Sequence, residues 1–289
     1  MSSRDGVLHA MTRDLSFRVV CARTTDTSRA AAASQGVSGK TAGILGELIT
    51  GAVLIRHAMM RNLRVQVILQ GADGKSAIVA DAHPDGMTRG LVKLAKGASE
   101  MDIGPGAMLQ VMRTLPSGMV QQGVVDVPQV GGISAALMAY MQESEQVVTM
   151  IAVTSLVPFT NGNAAGSSGG YLVQPLPEVE RGSLEVMTAR LSKLESIEEL
   201  LAEEDASAGS ILEAIVKDMP YQMLDEASIS FGCTCSEERV LAGIATAGRE
   251  EIESMIAEGK DIEAQCGYCN KEYTISLDRL RSMLLTLSS

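Results

Sequence analysis

The amino-acid sequence predicts an α+β protein in three parts: a mixed helix and antiparallel-strand core domain over residues 1–177, a helical linker over 178–230 and a small four-cysteine domain over 231–289. Three observations predict this division. Paired strand candidates flank turn sequences in the first part, helical periodicity dominates the second, and four of the five cysteines lie in the third. A chain of 289 residues that is 46% hydrophobic and 20% charged can bury a core without disulfides.

The first part begins with strands that are paired around turn sequences. Asp73-Gly74 separates one pair of candidates, and Pro116-Ser117-Gly118 separates another. Turn residues between alternating apolar segments are typical of antiparallel hairpins. The strand candidates are 65–69 with 77–80, and 108–112 with 119–127.

The same part contains a buried helix and further strand candidates. Residues 41–56 repeat apolar side chains at helical spacing with Gly and Ala between them, which predicts a buried helix. The apolar run 147–159 predicts a long strand, 161–170 a loop rich in Gly, Asn and Ser, and 171–174 a short strand. Helices mixed with antiparallel strands give an α+β core.

The second part begins where Pro175 and Pro177 interrupt the strand pattern and the charge balance changes sign. Residues 1–177 carry a net charge of +2, whereas residues 178–289 carry −13. Between 181 and 217, apolar residues recur at helical spacing and acidic residues occupy much of the remaining face. Amphipathic helices need an apolar surface to dock on, and we expect the core domain to supply it.

The third part is small and contains few large apolar residues. Its predicted elements are helices near 236–244, 252–256 and 280–285 and strands at 262–266 and 271–276. Such a segment would be marginally stable alone, so we expect another interaction to hold it folded.

Its four cysteines form two short pairs: Cys233 with Cys235, and Cys266 with Cys269. A tetrahedral Zn²⁺ needs four thiolates at about 2.3 Å, and two short pairs brought together across a loop satisfy this with little backbone strain. The sequence therefore predicts that these four residues bind one zinc ion. The second pair, between two alternating segments, is typical of a zinc-ribbon knuckle, whereas Cys-x-Cys is uncommon in purely structural sites.

The unusual first pair suggests redox chemistry, because zinc-bound sulfur is a thiolate that oxidants can attack. Disulfides within each pair would enclose very short loops and stabilise weakly. They would replace a metal whose apparent binding energy is about 10–16 kcal/mol in small peptides, so the domain would unfold. Disulfides between the distant pairs would instead keep the ends joined. The spacing leaves both pairings open.

The residues around the cysteines resemble the heat shock protein 33 family, redox-regulated chaperones that hold unfolding polypeptides without ATP. The similarity covers nearly the whole chain. Its most specific parts are the two cysteine motifs, and further similar segments lie in the core. These segments are 231–240 (FGCTCSEERV), 266–273 (CGYCNKEY), 140–146 (YMQESEQ) and 169–177 (GGYLVQPLP).

The resemblance implies an α+β core, a helical linker and a C-terminal zinc domain. It also implies that oxidation releases zinc, unfolds the small domain and linker, and uncovers apolar surface for client polypeptides in a form that is often a homodimer. We expect the oxidised form to contain disulfides within the pairs, Cys233 with Cys235 and Cys266 with Cys269.

The predicted function is that of a cytoplasmic, ATP-independent holdase, which is not an enzyme. We expect its client-binding surface to be apolar and rich in Met, since the chain contains 17 methionines. The alternatives are a zinc-containing thiol oxidoreductase that uses Cys266 and Cys269, and a constitutive zinc-ribbon adaptor. Gly39-Lys40-Thr41 and Gly74-Lys75-Ser76 lack the upstream Gly of a phosphate-binding loop, so ATP binding is not predicted.

Other partners and locations are excluded by charge and hydropathy. Neither half of the chain has the basic face that nucleic-acid binding requires, and no apolar run is long enough to span a bilayer. An odd cysteine count without an export signal indicates a reducing compartment. The remaining candidates are predicted to be structural: His9, His57 and His83 as exposed or hydrogen-bonded side chains, and Cys21 as a buried small residue.

Overall fold

The chain divides into two compact units, Met1–Phe231 and Gly232–Ser289. Both contain helices and antiparallel strands, which confirms the predicted α+β fold. The computed structural model describes residues 5–60, 62–156, 166–194, 196–203 and 206–286.

The first unit contains a five-stranded antiparallel sheet. Its strands are β1 (Gly6–Thr12), β2 (Phe17–Arg23), β8 (Met150–Ser155), β9 (Ser168–Pro175) and β10 (Tyr221–Ser228). Their order across the sheet is β10-β1-β2-β9-β8. The central strands β2 and β9 are almost entirely buried, so layers cover both faces of the sheet.

A six-stranded sheet forms the second layer of this unit. Its strands are β3 (Arg64–Gln70), β4 (Ala77–Ala82), β5 (Met87–Lys93), β6 (Met108–Thr114), β7 (Val120–Asp126) and β11 (Ser230–Phe231), in the order β11-β5-β4-β3-β6-β7. The antiparallel pairs β3 with β4 and β6 with β7 are the two predicted hairpins, and both are confirmed.

Three helices accompany these sheets: α1 (Thr25–Gln35), α2 (Gly39–Ala58) and α3 (Gly132–Glu143). Helix α2 is the predicted buried helix, and it contacts strands of both sheets. A Cβ at Gly46 would collide with Ser155 Oγ, so glycine permits this close contact with β8. Among the described residues, no helix is both long and apolar enough to cross a bilayer.

The outer face of the five-stranded sheet is covered by α4 (Arg181–Lys193), α5 (Ile197–Ala202) and α6 (Ala208–Val216). Their buried side chains meet those of β1, β2 and β9 in a second core, here called the linker cluster. Its buried members are Ala10, Phe17, Val19, Cys21, Tyr171, Val173, Met187, Leu201, Ala206, Ala208, Ile211, Leu212, Ile215 and Val216. The predicted amphipathic helices therefore dock on the core strands, as expected.

The second unit contains α7 (Glu237–Ala245), α8 (Arg249–Ala257), the antiparallel hairpin of β12 (Ile262–Gln265) and β13 (Glu272–Ile275), and α9 (Leu277–Thr286). All of these elements were predicted. Of the residues that the structure describes here, three apolar side chains are buried: Ile252, Ile275 and Leu280.

Two boundaries differ from the sequence predictions. The strand predicted over 147–159 begins only at Met150, and its predicted end at 157–159 lies outside the described residues. The first half of the loop predicted over 161–170, at 161–165, also lies outside the described residues. The end of that prediction is wrong, because Gly169 and Gly170 belong to β9 and pair with Arg23 and Ala22 of β2. A Cβ at Gly169 would lie 2.7 Å from Ala22 O, so glycine here serves close packing and not a turn.

The linker prediction is incomplete, because residues 178–230 contain a strand as well as helices. Strand β10 pairs with β1 at the sheet edge. Most of its side chains are exposed, so it lacks the apolar alternation that reveals a strand in sequence. The functional boundaries after residues 177 and 230 stay predictions, since they concern which parts unfold on oxidation.

Candidate metal centre

The cysteines of the second unit are positioned by a helix start and a hairpin turn. Cys233 and Cys235 lie in the irregular segment before α7, whose N-cap Ser236 accepts a hydrogen bond from the Arg239 backbone N–H. In the hairpin, the Cys266 N–H donates to Lys271 O at 2.9 Å, and the Asn270 N–H donates to Cys266 O at 2.8 Å. This turn points both of its cysteines to one side.

The four sulfur atoms meet in one cluster. Cys233 Sγ lies 3.6 Å from Cys266 Sγ, and Cys235 Sγ lies 3.4 Å from Cys269 Sγ. All four Sγ atoms lie within 4.8 Å of one another. A regular tetrahedron with Zn–S bonds of about 2.3 Å has S···S edges of about 3.8 Å. The arrangement therefore fits a metal ion held by four thiolates.

In the metal-free cluster, the surroundings of Cys269 disfavour its thiolate form. Burial, followed by the neighbouring thiols, raises the pKa of Cys269 to about 12, while a backbone hydrogen bond from Lys271 opposes this rise. The Cys269 thiol therefore resists ionisation, because a thiolate at this position would be poorly solvated. A bound divalent ion would compensate the charge and hold the sulfurs as thiolates.

Tyr273 is a site residue that the sequence prediction missed. It lies on β13, and its hydroxyl donates a hydrogen bond to Cys235 Sγ at 3.0 Å. The Lys271 ammonium lies 5.1 Å from the centre of the Tyr273 ring. The alternation of β13 places every second side chain on one face, but only the three-dimensional hairpin shows that this face meets the first cysteine pair.

The fifth cysteine is separate from this chemistry. Cys21 is fully buried in β2 within the linker cluster, and burial strongly raises the pKa of its thiol. A thiol of this kind is a poor nucleophile in the folded protein. Its predicted status as a buried small residue is confirmed.

The histidines are hydrogen-bonded, as predicted, although two that are distant in sequence meet in space. His9 Nε2 lies 2.7 Å from His57 Nδ1, and His83 Nε2 lies 3.2 Å from Asp81 Oδ2. Burial, and then the positive charge of Arg56, lowers the pKa of His57 to about 3, so it stays neutral at physiological pH.

The fold and the site define a two-unit protein, in which a mixed α+β unit is followed by a four-cysteine unit that can hold a metal ion. The family described as Hsp33 protein matches residues 5–276. The chain therefore belongs to the Hsp33 family, and the resemblance found in its sequence is confirmed. The proteins of this family are chaperones and not enzymes.

Relatives of nearly the same length support this assignment. The chain is 28% identical to the 33 kDa chaperonin of Bacillus pumilus over 290 residues, which cover 96% of this chain and 98% of that protein. It is also 28% identical over 248 residues to the 33 kDa chaperonin of Thermodesulfovibrio yellowstonii, covering 83% and 85%. The solved Hsp33 homologue of Thermotoga maritima has a TM-score of 0.81 at 22% identity, covering 99% and 100% of the chains, and shows a shared fold.

Proposed function

We propose that this protein is a cytoplasmic, redox-regulated holdase whose reduced form binds one zinc ion through Cys233, Cys235, Cys266 and Cys269. The observation that carries the proposal is the sulfur cluster, which joins residues 33 positions apart in a unit with few buried apolar side chains. A metal that supplies about 10–16 kcal/mol in small peptides would decide whether such a unit is folded.

Oxidation would remove this metal. Hydrogen peroxide converts one thiolate to a sulfenic acid, the second thiolate of the pair attacks that sulfur, and water leaves as the disulfide forms. Formation of each disulfide removes two electrons from a pair of cysteines, so two disulfides use all four proposed zinc ligands. Among the described residues of the zinc-free unit, the buried apolar side chains would be those of Ile252, Ile275 and Leu280.

The pairing of the sulfurs depends on whether the unit unfolds before the second bond forms. In a tetrahedral site each sulfur is almost equally distant from the other three, so the short contacts from Cys233 to Cys266 and from Cys235 to Cys269 do not select a disulfide. Once the chain loosens, only sulfurs two or three positions apart stay close. We therefore propose disulfides from Cys233 to Cys235 and from Cys266 to Cys269.

Loss of the second unit would also undock helices α4 to α6, which are joined to it in the chain through β10 and β11. Helices α5 and α6 contain six and nine residues, so their stability depends on docking. When they leave the sheet, the strand side of the linker cluster becomes accessible, including Phe17, Tyr171 and Val173. This surface and the released helices would bind unfolding polypeptides.

The proposal is tested by light scattering from a heat-denatured client protein mixed with this protein before and after peroxide treatment. We expect protection only after oxidation, in step with zinc release measured with a chromogenic chelator. Sedimentation of the same samples would show whether the active form is a homodimer, as proposed. If the reduced, zinc-loaded protein protects the client equally well, the proposed redox switch does not exist.

Two variants sharpen this test. Cys269→Ser removes one zinc ligand and one disulfide, so it should protect the client without oxidant. Ser254→Ala is the control, because Ser254 is exposed on α8 of the same unit and lies outside the sulfur cluster. It should release zinc and gain activity with the same dependence on peroxide as the unmodified chain.

A further inference from the structure

We infer that Tyr273 is a positioning residue that protects the Cys235 sulfur and thereby sets how much oxidant is needed to release the metal. This inference rests on the proposed zinc-dependent switch. It concerns a residue outside the predicted ligand set, and its structural basis is the hydrogen bond from the Tyr273 hydroxyl to Cys235 Sγ at 3.0 Å.

The hairpin fixes the position of this hydroxyl. Tyr273 pairs with Ala264 in the register of β12 and β13, and the turn that holds Cys266 and Cys269 closes the same hairpin. The ring is half-buried, so its direction is constrained by the surrounding chain. The donor thus comes from the same hairpin as the second cysteine pair and reaches a sulfur of the first pair.

The hydrogen bond from Tyr273 to Cys235 would change the reactivity of the sulfur that accepts it. When Cys235 is a metal-bound thiolate, the hydroxyl makes a charge-assisted hydrogen bond to it, which is stronger than a bond between neutral groups. The Lys271 ammonium over the Tyr273 ring draws electron density from the phenol and makes its hydroxyl a better donor. Outer partners of this type orient metal ligands and tune their affinity.

Two consequences follow for oxidation of Cys235. Attack on hydrogen peroxide requires a sulfur lone pair: an S–O bond forms as the O–O bond breaks, and the departing hydroxide takes a proton to become water. The hydrogen bond from the Tyr273 hydroxyl engages a lone pair of the Cys235 sulfur. This lowers the nucleophilicity of that sulfur. It also disperses the charge of the four-thiolate site, which favours retention of the metal.

The test compares Tyr273→Phe with the unmodified protein. This substitution keeps the ring and deletes only the hydroxyl. We expect peroxide-driven zinc release that is several-fold faster, and zinc affinity in reducing buffer that is weaker by about tenfold, the low end of the effect of losing an outer partner. The affinity is measured by competition with a chelator, which does not depend on chaperone activity.

Thr274→Val is the matched control. It removes a hydroxyl from the next residue of the same strand, whose side chain is exposed and alternates to the other face of the hairpin. Its zinc release rate and affinity should equal those of the unmodified protein. Lys271→Met, which keeps the phenol and removes the cation, should show a change in the same direction as Tyr273→Phe but smaller.

The outcomes separate this inference from the proposed function. If the unmodified protein releases zinc on oxidation but Tyr273→Phe has the same release rate and affinity, the role of Tyr273 is refuted and the switch stands. If the unmodified protein releases no zinc, the switch itself is refuted. Should Tyr273→Phe fail to fold, an unchanged release rate in Lys271→Met would overturn the inference.

Discussion

Replacing Ile211 by Ala should detach helix α6 from the five-stranded sheet in the reduced protein. Ile211 is fully buried in the linker cluster, and it belongs to α6, which contacts β1, β2 and β9. The helix has only nine residues, so its docked state depends on these apolar contacts.

The size of the effect follows from the buried side chain. Truncation of a fully buried Ile to Ala costs about 2–5 kcal/mol, and we take about 3 kcal/mol for a helix that can shift partly into the space left. Since 1.4 kcal/mol is a factor of ten, the undocked fraction should rise by about 100-fold. A change of this size should give the reduced protein measurable holdase activity.

The assay uses Cys21, which is buried beneath the same helices. An excess of N-ethylmaleimide alkylates this thiol only when the cluster opens, so the labelling rate reports the undocked fraction. The modified Cys21 peptide is followed by mass spectrometry. Hydrogen exchange of α2, in the other core cluster, shows whether the whole unit has opened instead.

Glu213→Ala is the matched control, because it creates the same residue on the exposed side of the same helix. It should leave the labelling rate of Cys21 unchanged. If Ile211→Ala labels Cys21 no faster than Glu213→Ala does, the docking of α6 does not control access to the cluster, and the reasoning is refuted.

Three further predictions follow from the same structure. Burial, and then the charge of Glu198 on α5, raises the pKa of Glu47 to about 7, so its contribution to folding is complete below the ordinary pKa of 4.5 and is lost as pH rises through 7. The melting temperature should therefore fall between pH 5 and pH 8 in the unmodified chain and stay flatter in Glu47→Gln. Chelation of zinc under reducing conditions should abolish helical circular dichroism from α7–α9 while hydrogen exchange of α2 stays protected, and loss of both signals would contradict independent units. Leu191→Asp should raise the activity of the reduced protein, because Leu191 is partly buried against the linker cluster, and unchanged activity would show that this contact is dispensable.

The parts of the fold that could be predicted are those with local signals. Turn sequences such as Asp73-Gly74 identified the hairpins, and a long apolar period identified α2. Strand β10 could not be identified, because it lies at an edge and exposes most of its side chains. The glycines of β9 were misassigned because close packing and turn formation select the same residue.

Prediction of the candidate metal site was likewise limited to residues with a local sequence signal. Spacing was sufficient to group the four cysteines, since short ligand pairs are typical of structural zinc sites. It could not reveal Tyr273, whose relation to Cys235 depends on how a hairpin lies against a segment 38 residues earlier. The contact between His9 and His57 could not be predicted either, because it depends on how α2 lies relative to β1.

We propose that one metal ion, held by two distant sulfur pairs, keeps the second unit folded until oxidation removes it. The most direct measurement is zinc content of the purified protein before and after peroxide, with disulfide mapping of the same samples. We expect one zinc per reduced chain, none after oxidation, and disulfides joining Cys233 to Cys235 and Cys266 to Cys269. A reduced protein without zinc, or an oxidised one with bonds between the distant pairs, would contradict it.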